Sequence, residues 1–366
     1  MGEMVSRLRI ELADRVGSDV TWTSARALLV VGLLIGAVPP QAWGQPVESG
    51  TPSAAESATP AVADRTIARA LRYLAKQQQE DGSTGSGILR GNVAVTALAG
   101  LAMLADGSTP NEGRYRDNLR NGMRYVMSTA KDGYLGDAGA TQGNMYAHAF
   151  ATMFLARYLQ VTPKDNRVRP LLEQSVRRAV KVIVDAQHDQ GGWRYLPVKS
   201  RGDVTSSSCQ ILALATARKA GIEIPEKSFE LASHFLISCQ NADGGFSYMS
   251  VGGGDSNFCR TAACANSLYL AGTTKGKYIS DALRYLNKQR APRLSEPYFF
   301  FGAFFMSQVM AHDRGDSGDR WRSAIAKRLA DAQRDDGSWN GPMNCPELST
   351  AMACLVLQSR PVPEAE

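Results

Sequence analysis

The segment Gln333-Arg334-Asp335-Asp336-Gly337-Ser338-Trp339 recurs along the chain and divides it into similar pieces. Two further copies keep the spacing of the glutamine, the glycine and the aromatic residue: Gln187, Gly191 and Trp193 in one, and Gln240, Asp243, Gly244 and Phe246 in the other. A fourth copy, with Gln78, Asp81 and Gly82, lacks the aromatic residue. Four copies in register indicate an internal structural repeat.

Each copy follows an amphipathic run and precedes a more apolar one, which predicts a helix, a turn and a second helix. The glycine ends the first helix because it adopts a left-handed backbone at little cost, and the aspartate suits the turn. We expect the glutamine amide to bond backbone groups at a helix end while the aromatic ring covers it. Such a corner would tie one helical hairpin to its neighbour.

Twelve helices in two alternating classes follow from this pattern. The first helices of the hairpins carry one apolar stripe and are expected on the outside; they lie near 64–79, 114–129, 167–187, 227–240, 278–290 and 319–333. The second helices are apolar nearly all round and are expected to be buried; they lie near 92–106, 145–160, 205–220, 258–271, 298–311 and 348–358. Corners near 130–136 and 289–295 are degenerate copies. The sequence therefore predicts an all-α protein, an α/α toroid of six hairpins forming one domain over residues 64–360.

The amino-terminal region has the pattern expected of a targeting signal. The apolar run from Ala27 to Val38 is too short to span a bilayer comfortably and is typical of a signal-peptide core. Small residues at Ala42 and Gly44 suit a signal peptidase, so we expect residues 1–44 to be removed and the chain to be exported, with no transmembrane span left in the mature chain. An uncleaved membrane anchor is the alternative. Residues 45–63 have the composition of a disordered linker.

The charge balance argues against a nucleic-acid partner. The 366 residues include 41 Lys and Arg and 35 Asp and Glu, a net charge of +6. The basic residues are scattered over the outer helices, as between 167 and 181, and are expected to be solvated helix faces rather than a basic patch.

The copies that begin at Gln187, Gln240 and Gln333, together with their apolar partner helices, resemble the repeat of the prenyltransferase and squalene-cyclase superfamily. The resemblance covers roughly residues 65–358. It implies an α/α toroid related to terpenoid cyclases, to the β subunits of protein prenyltransferases and to the thioester domains of complement-like proteins. The chain is also similar to bacterial exported proteins that carry this repeat. The fold follows from the resemblance, whereas the chemistry does not.

The catalytic motifs that the resemblance implies are incomplete. Class II terpenoid cyclases donate a proton from an Asp-x-Asp-Asp motif, but here Asp203 is followed by Val204, Thr205 and Ser206, which cannot replace the missing carboxylic acids. The zinc ligands of protein prenyltransferases include an aspartate and a cysteine two positions apart, a spacing that Asp255 and Cys259 do not have. We expect no metal and no cofactor.

Candidate site residues remain at the mouth of the ring, where the inner helices start. They are Asp203, Asp255 and His148 as catalytic candidates, and Ser207, Cys209, Cys259, Arg260, Cys345 and Glu347 as residues around a ligand cavity. In the alternative interpretation Asp203 and Glu347 cap helices, and His148 is a hydrogen-bonded structural residue. Disulfides are allowed, with Cys259 pairing to Cys345 or Cys209, whereas Cys264 and Cys354 are expected as buried thiols.

Three functional hypotheses stay open. The first is an exported toroid, noncatalytic or catalytically undefined and without a recognisable cyclase acid motif or zinc site, that binds an apolar, isoprenoid-like molecule or a protein partner. The second is an isoprenoid-handling enzyme, a terpenoid cyclase or prenyltransferase relative with a divergent acid at Asp203 or Asp255. The third is a carbohydrate-active enzyme, because α/α rings also serve that chemistry, although the repeat argues against it.

Overall fold

The computed structural model describes residues 60–136, 144–289, 292–296, 298–312, 316–341 and 344–361, all in one compact unit of the chain. Within these residues the outer helices are α1 (Pro60–Gln77), α3 (Arg116–Ser128), α5 (Arg169–Ala186), α7 (Glu226–Ser238), α9 (Lys277–Lys288) and α11 (Asp316–Ala332). The inner helices are α2 (Val93–Ala105), α4 (Met145–Val161), α6 (Val204–Lys219), α8 (Phe258–Leu270), α10 (Phe299–Ala311) and α12 (Pro346–Leu357). A short antiparallel pair, β1 (Ala130–Lys131) and β2 (Tyr134–Leu135), follows α3, and a 3-10 turn (Gly87–Leu89) precedes α2.

The six inner helices form a closed ring. Each packs against the next, from α2 to α4 and onward to α12, and α12 packs against α2. Neighbours run in the same direction: the Tyr146 hydroxyl at the start of α4 lies 2.8 Å from the Thr205 Oγ1 at the start of α6. At the other end, Gln160 donates to the carbonyl of Thr216. The outer helices cover this ring, so the prediction of an all-α toroid of six hairpins is confirmed.

The centre of the ring is filled by its own side chains. An open lumen would leave one face of each inner helix accessible to water, yet every residue from 204 to 217 in α6 and from 145 to 156 in α4 is buried. The five phenylalanines between Phe299 and Phe305 in α10 are each at most 9% exposed, and their rings pack edge to face. The inner helices are therefore buried on all sides, as their uniform apolarity requires.

The repeated glutamines tie each corner to the following outer helix. Gln187 donates its side-chain amide to the carbonyl of Gly191 in its own corner, at 3.0 Å, and to the carbonyl of Ser228 in α7, at 2.9 Å. The same pair of bonds recurs elsewhere, from Gln78 to Gly82 and Asn118, from Gln240 to Gly244 and Tyr278, and from Gln333 to Gly337 and Thr66. The bond from Gln333 to Thr66 joins the last corner to the first outer helix and helps close the ring.

The corner glycines lie directly against the next outer helix. Gly191 has φ +97°, and a Cβ placed on it would stand 1.9 Å from the carbonyl oxygen of Leu231 in α7. Gly82, Gly244 and Gly337 make the same approach with φ between +88° and +91°. Both the left-handed backbone and the close contact require glycine at this position.

The start of the domain differs from the expectation. Helix α1 begins at Pro60, within the stretch assigned to the linker and four residues before the expected start of the first outer helix near residue 64. Proline suits the first turn of a helix because its missing N–H would have no helical partner there. The proposed signal peptide lies outside the described residues. No helix among those that the structure describes is long and apolar enough to cross a membrane.

Candidate functional site

The mouth, where the six inner helices begin, is built from repeated caps. The side chains of Asn92, Asn144, Asp203 and Asn257 each accept a backbone N–H from the first turn of α2, α4, α6 and α8, respectively. Asparagine and aspartate are among the strongest residues for this task because they satisfy N–H groups that the helix leaves free. Asp203 therefore occupies the same structural position as three asparagines.

A second set of side chains, four residues after the caps or at the equivalent point in α12, bonds the corner backbone. The hydroxyls of Thr96, Ser207, Thr261 and Thr350 accept the N–H groups of Thr84, Trp193, Phe246 and Trp339, at 2.8 to 3.2 Å. The spacing of a cap and a hydroxyl residue was present in the sequence and was missed. It assigns the candidate Ser207 to the corner that precedes α6.

His148 occupies this position in α4. The N–H of Leu135 donates to its Nδ1 at 3.0 Å, so Nε2 carries the proton and donates to the carbonyl of Ala179, also at 3.0 Å. Burial lowers the pKa of His148 to about 4. Both ring nitrogens are thus engaged by backbone groups of two neighbouring elements, and the ring also stacks on Tyr134.

Asp203 is fully buried but only half satisfied. Its Oδ1 accepts the N–H groups of Thr205 and Ser206, at 3.0 and 2.8 Å, and the Thr205 hydroxyl at 2.6 Å. Its Oδ2 has no hydrogen-bond partner among the described residues. Burial raises the pKa of this carboxyl group, since a charge is costly away from water.

Three tyrosines, Tyr146, Tyr195 and Tyr248, lie close enough to this carboxyl group to interact with it electrostatically. The Tyr195 and Tyr248 hydroxyls are hydrogen-bonded to each other, and the Tyr146 ring lies 6.1 Å from that of Tyr195. Burial raises the pKa of both Tyr195 and Tyr248, and proximity to Asp203 adds to the shift. The sequence analysis did not single out Tyr195 or Tyr248.

The remaining candidates do not line one cavity. Cys209 is buried in α6, and Asp255 is exposed. Arg260 donates to the backbone carbonyls of Asp255 and Phe246, and the Cys259 thiol lies 3.6 Å from the carbonyl of Tyr298.

Glu347 belongs to a separate cluster at the seam between α12 and the first hairpin. It is 3% exposed and accepts hydrogen bonds from Tyr73, Ser86 and Cys345, at 3.3, 2.7 and 3.3 Å. A carboxylate so bonded fastens the last inner helix to the first corner. Glu347 and Cys345 are therefore held within the ring-closing seam.

All six cysteines are free thiols, and Cys264 and Cys354 are fully buried. Within the part of the chain that the structure describes, no group of three histidines, cysteines or acids could hold a metal ion. A cavity of about 360 Å³ lies between α1 and the last corner and is lined by residues such as Arg69, Arg72, Tyr73 and Asp336. A smaller one lies at the mouth.

The closed double ring, the glutamine and glycine corners and the capped inner helices define an α/α toroid. The chain belongs to the prenyltransferase alpha-alpha toroid domain family, whose model matches residues 62–296. A comparison with curated proteins finds no match.

Solved structures share the fold at low sequence identity. A type II terpene cyclase, MstE from Scytonema, in complex with merosterolic acid A, is 14% identical with a TM-score of 0.57, covering 81% of this chain and 96% of that one. A protein from Actinoplanes is 15% identical with a TM-score of 0.55, covering 81% and 98%. An inactive variant of an alpha-1,6-mannanase from Salegentibacter, in complex with alpha-1,6-mannotetrose, is 9% identical with a TM-score of 0.60, covering 81% and 98%. These similarities establish the fold alone.

Proposed function

We propose that this protein is an exported toroid that binds a protein partner at its mouth and performs no catalysis of its own. The observation that carries the proposal is the filled ring. In the part of the chain that the structure describes, the residues of the inner helices are buried on every face, which leaves no water-accessible lumen between them for an isoprenoid chain. The ring then serves as a rigid scaffold that presents its mouth.

The repeated helix caps support a structural role for Asp203 rather than a catalytic one. Asp203 caps α6 as Asn92, Asn144 and Asn257 cap their helices, and a capping role accounts for an aspartate at this position without any chemistry. His148 is likewise accounted for by its two backbone partners. Neither residue needs a substrate to explain its place in the fold.

One sector of the mouth has the composition of a protein-binding surface. We call it the mouth surface and define it as residues 194–201 and 248–251, which precede α6 and α8. It exposes Leu196, Val198 and Val251 at 38%, 53% and 70%. Arg194 and two half-buried tyrosines lie between them. Tyrosine and arginine are enriched at the energetic centres of protein interfaces, and exposed apolar side chains supply contact area.

Export is part of the proposal and rests on the sequence of the amino-terminal segment. The run from Ala27 to Val38 and the small residues before Gln45 favour cleavage after Gly44. Amino-terminal sequencing of the protein recovered from the cell envelope or the medium tests this. A mature chain that begins at Gln45 is expected, whereas a retained leader would indicate a membrane anchor.

Site-specific photo-crosslinking tests the partner. A photoreactive amino acid replaces Val251 on the mouth surface or, as the matched control, Leu171 on α5, which is 57% exposed. In the native cell envelope we expect one discrete crosslinked species from position 251 and none from position 171. Equal crosslinking at both positions, or none at position 251, would contradict a partner site at the mouth.

The unpartnered oxygen of Asp203 favours a second candidate, an isoprenoid-handling enzyme with a divergent acid. The Oδ2 of Asp203 is buried, and burial raises the pKa of the carboxyl group, which favours the protonated form that can donate a proton. Incubation with polyprenyl substrates followed by product analysis distinguishes the two. A cyclic product that disappears in Asp203→Asn would establish the enzyme, and no product in either protein is expected from our proposal.

A further inference from the structure

The mouth surface contains a small pocket whose floor is formed by closely packed glycines. The pocket has a volume of about 190 Å³ and is lined by Gln190, Arg194, Arg201, Gly202, Phe235, Met249, Ser250 and Val251. Its floor follows the bridge in which Asp203 donates its N–H to the carbonyl of Trp193. A Cβ on Gly202 would lie 2.6 Å from the Cα of Gly192, and one on Gly192 would lie 2.9 Å from the Phe235 ring. Two glycines therefore allow two backbone segments and an aromatic wall to approach closely enough to form the pocket.

The charged residues that line the pocket are both basic. Its lining contains two arginines and no acidic residue. Lys199 nearby is paired with Asp189 at 2.9 Å, whereas neither Arg194 nor Arg201 forms an ion pair with a carboxylate of the described residues. The guanidinium of Arg194 lies 5.6 Å from the centre of the Tyr195 ring and 3.8 Å from the Met249 sulfur. These contacts hold Arg194 in place. Arg194 also interacts with the buried Asp203 in the bridge below the pocket, where its charge partly offsets the rise in the Asp203 pKa that burial causes.

The lining also contains apolar side chains. Phe235, Met249 and Val251 contribute to it, and Val251 is 70% exposed. A group that is complementary to this lining carries a negative charge next to an apolar part. Arginine is well suited to recognise a carboxylate, because its planar guanidinium can donate two parallel hydrogen bonds.

The volume decides between a small molecule and a peptide. Sites for free ligands of drug size occupy roughly 300–1,000 Å³, and this pocket is smaller. It accommodates one side chain or one chain end. Pockets of this kind at protein interfaces receive an anchor residue of the partner.

We propose that this pocket anchors a carboxylate of an extended peptide segment of the partner, with an apolar residue beside it. The proposal rests on the function given above and specifies the chemistry of the partner. Arg194 and Arg201 bind the carboxylate, and Phe235 and Val251 contact the neighbouring apolar side chain. The carboxylate is either an internal acidic side chain or the carboxyl terminus of the segment.

Fluorescence anisotropy with three labelled octapeptides of serine and glycine tests the proposal. The first contains Leu-Glu and an amidated end, the second ends in leucine with a free carboxylate, and the third contains Leu-Gln and an amidated end. We expect the first or the second to bind at least about tenfold more tightly than the third, because a charge-assisted bond is lost in the amide. The tighter of the two identifies the source of the carboxylate. Equal affinity for all three, or no binding of any, overturns the proposal.

Protein variants distinguish the loss of a pocket arginine from the loss of any positive charge on the protein. Arg194→Gln and Arg201→Gln should each weaken the carboxylate peptide about tenfold or more, whereas Arg65→Gln, the same change on exposed α1, should leave the affinity unchanged. Arg201 is exposed and makes no hydrogen bond or ion pair to another residue that the structure describes, so its variant tests the pocket even if Arg194→Gln fails to fold. An equal loss in Arg65→Gln would contradict the assignment.

The outcomes distinguish this inference from the proposed function. Crosslinking at position 251 that persists unchanged in Arg201→Gln, with no preference for carboxylate peptides, would reject the pocket and leave the partner site in place. Carboxylate-specific peptide binding without crosslinking at position 251 would reject the proposed function instead.

Discussion

The complete corner between α5 and α6 and the degenerate corner between α3 and α4 perform the same task with different residues. The complete corner uses Gln187, Gly191 and Ser207 to bond α7 and the inner helix. The degenerate corner lacks the glutamine and instead has the β1–β2 pair, with His148 in place of the serine. His148 reaches the carbonyl of Ala179 in α5, which is the next outer helix. The constant requirement is therefore a bonded contact with the next outer helix rather than a particular residue.

Replacing the corner glycine should lower the stability of the fold more than any other change considered. Gly191→Ala forces a Cβ to within 1.9 Å of the Leu231 carbonyl, whereas Gly133 in the degenerate corner leaves 2.9 Å to the carbonyl of Arg178. We expect Gly191→Ala to lower the free energy of unfolding by more than about 4 kcal/mol or to prevent folding, and Gly133→Ala to cost less. Urea denaturation of the purified chain measures both.

Gly221 is the matched control for this prediction. It has φ +84° with nothing within 4 Å of the added Cβ, so Gly221→Ala carries only the backbone strain, about 1–2 kcal/mol. Equal losses in Gly191→Ala and Gly221→Ala would mean that the contact with α7 contributes nothing.

The histidine of the degenerate corner should make stability depend on pH. The folded pKa of His148 is about 4, below its ordinary value of 6.5, so the unfolded chain binds the proton more readily. The stabilisation from the neutral ring is complete above pH 6.5 and is lost as the pH falls toward 4, by about 3 kcal/mol. The difference in unfolding free energy between the natural protein and His148→Thr should shrink by that amount over this range. A pH-independent difference would contradict the buried neutral ring.

Replacing the glutamine of a complete corner should cause the next largest loss of stability. Gln187→Met keeps the length of the side chain but leaves the carbonyls of Gly191 and Ser228 without this donor, and we expect a loss of about 2–3 kcal/mol. Gln174→Met, on the exposed face of α5, should change stability by less than about 0.5 kcal/mol. Thermal or urea unfolding of the pair decides whether the glutamine bonds stabilise the corner.

The smallest effect is expected at Asp203. Asparagine caps a helix as well as aspartate does, and it removes a carboxyl group whose pKa is raised by burial. Because the folded pKa is above the ordinary value, the ionised group costs stability that is recovered as the pH falls. Asp203→Asn should therefore be equal to the natural protein at low pH and more stable than it at neutral pH, as urea unfolding at the two pH values would measure. A destabilised variant at pH 7 would indicate that the charge has a structural partner.

The fold could be predicted because its determinants are local. The glycine and glutamine of each corner and the two kinds of helix are visible in short windows, and the helix bounds were close to those observed, as for α4 and α8. The start of α1 was placed too late because Pro60 begins the helix within a segment of linker-like composition.

The mouth could not be predicted to the same extent because its contacts are distant in sequence. Glu347 accepts hydrogen bonds from Tyr73 and Ser86, which lie more than 250 positions earlier in the sequence. Its position in the seam could therefore not be recognised from the sequence around it. The filled centre depends on how the phenylalanines of α10 pack, which periodicity does not determine. The role of His148 was recognisable only by aligning it with Thr96 and Thr261.

Native mass spectrometry of the purified mature protein, mixed with geranylgeraniol, tests the filled ring most directly. A ring packed with its own side chains should give the mass of the bare polypeptide, with no lipid retained from the cell or taken up from the solution. A stoichiometric adduct that survives gentle desolvation would show that the interior opens to an apolar molecule, and the account of a solid scaffold would then be wrong.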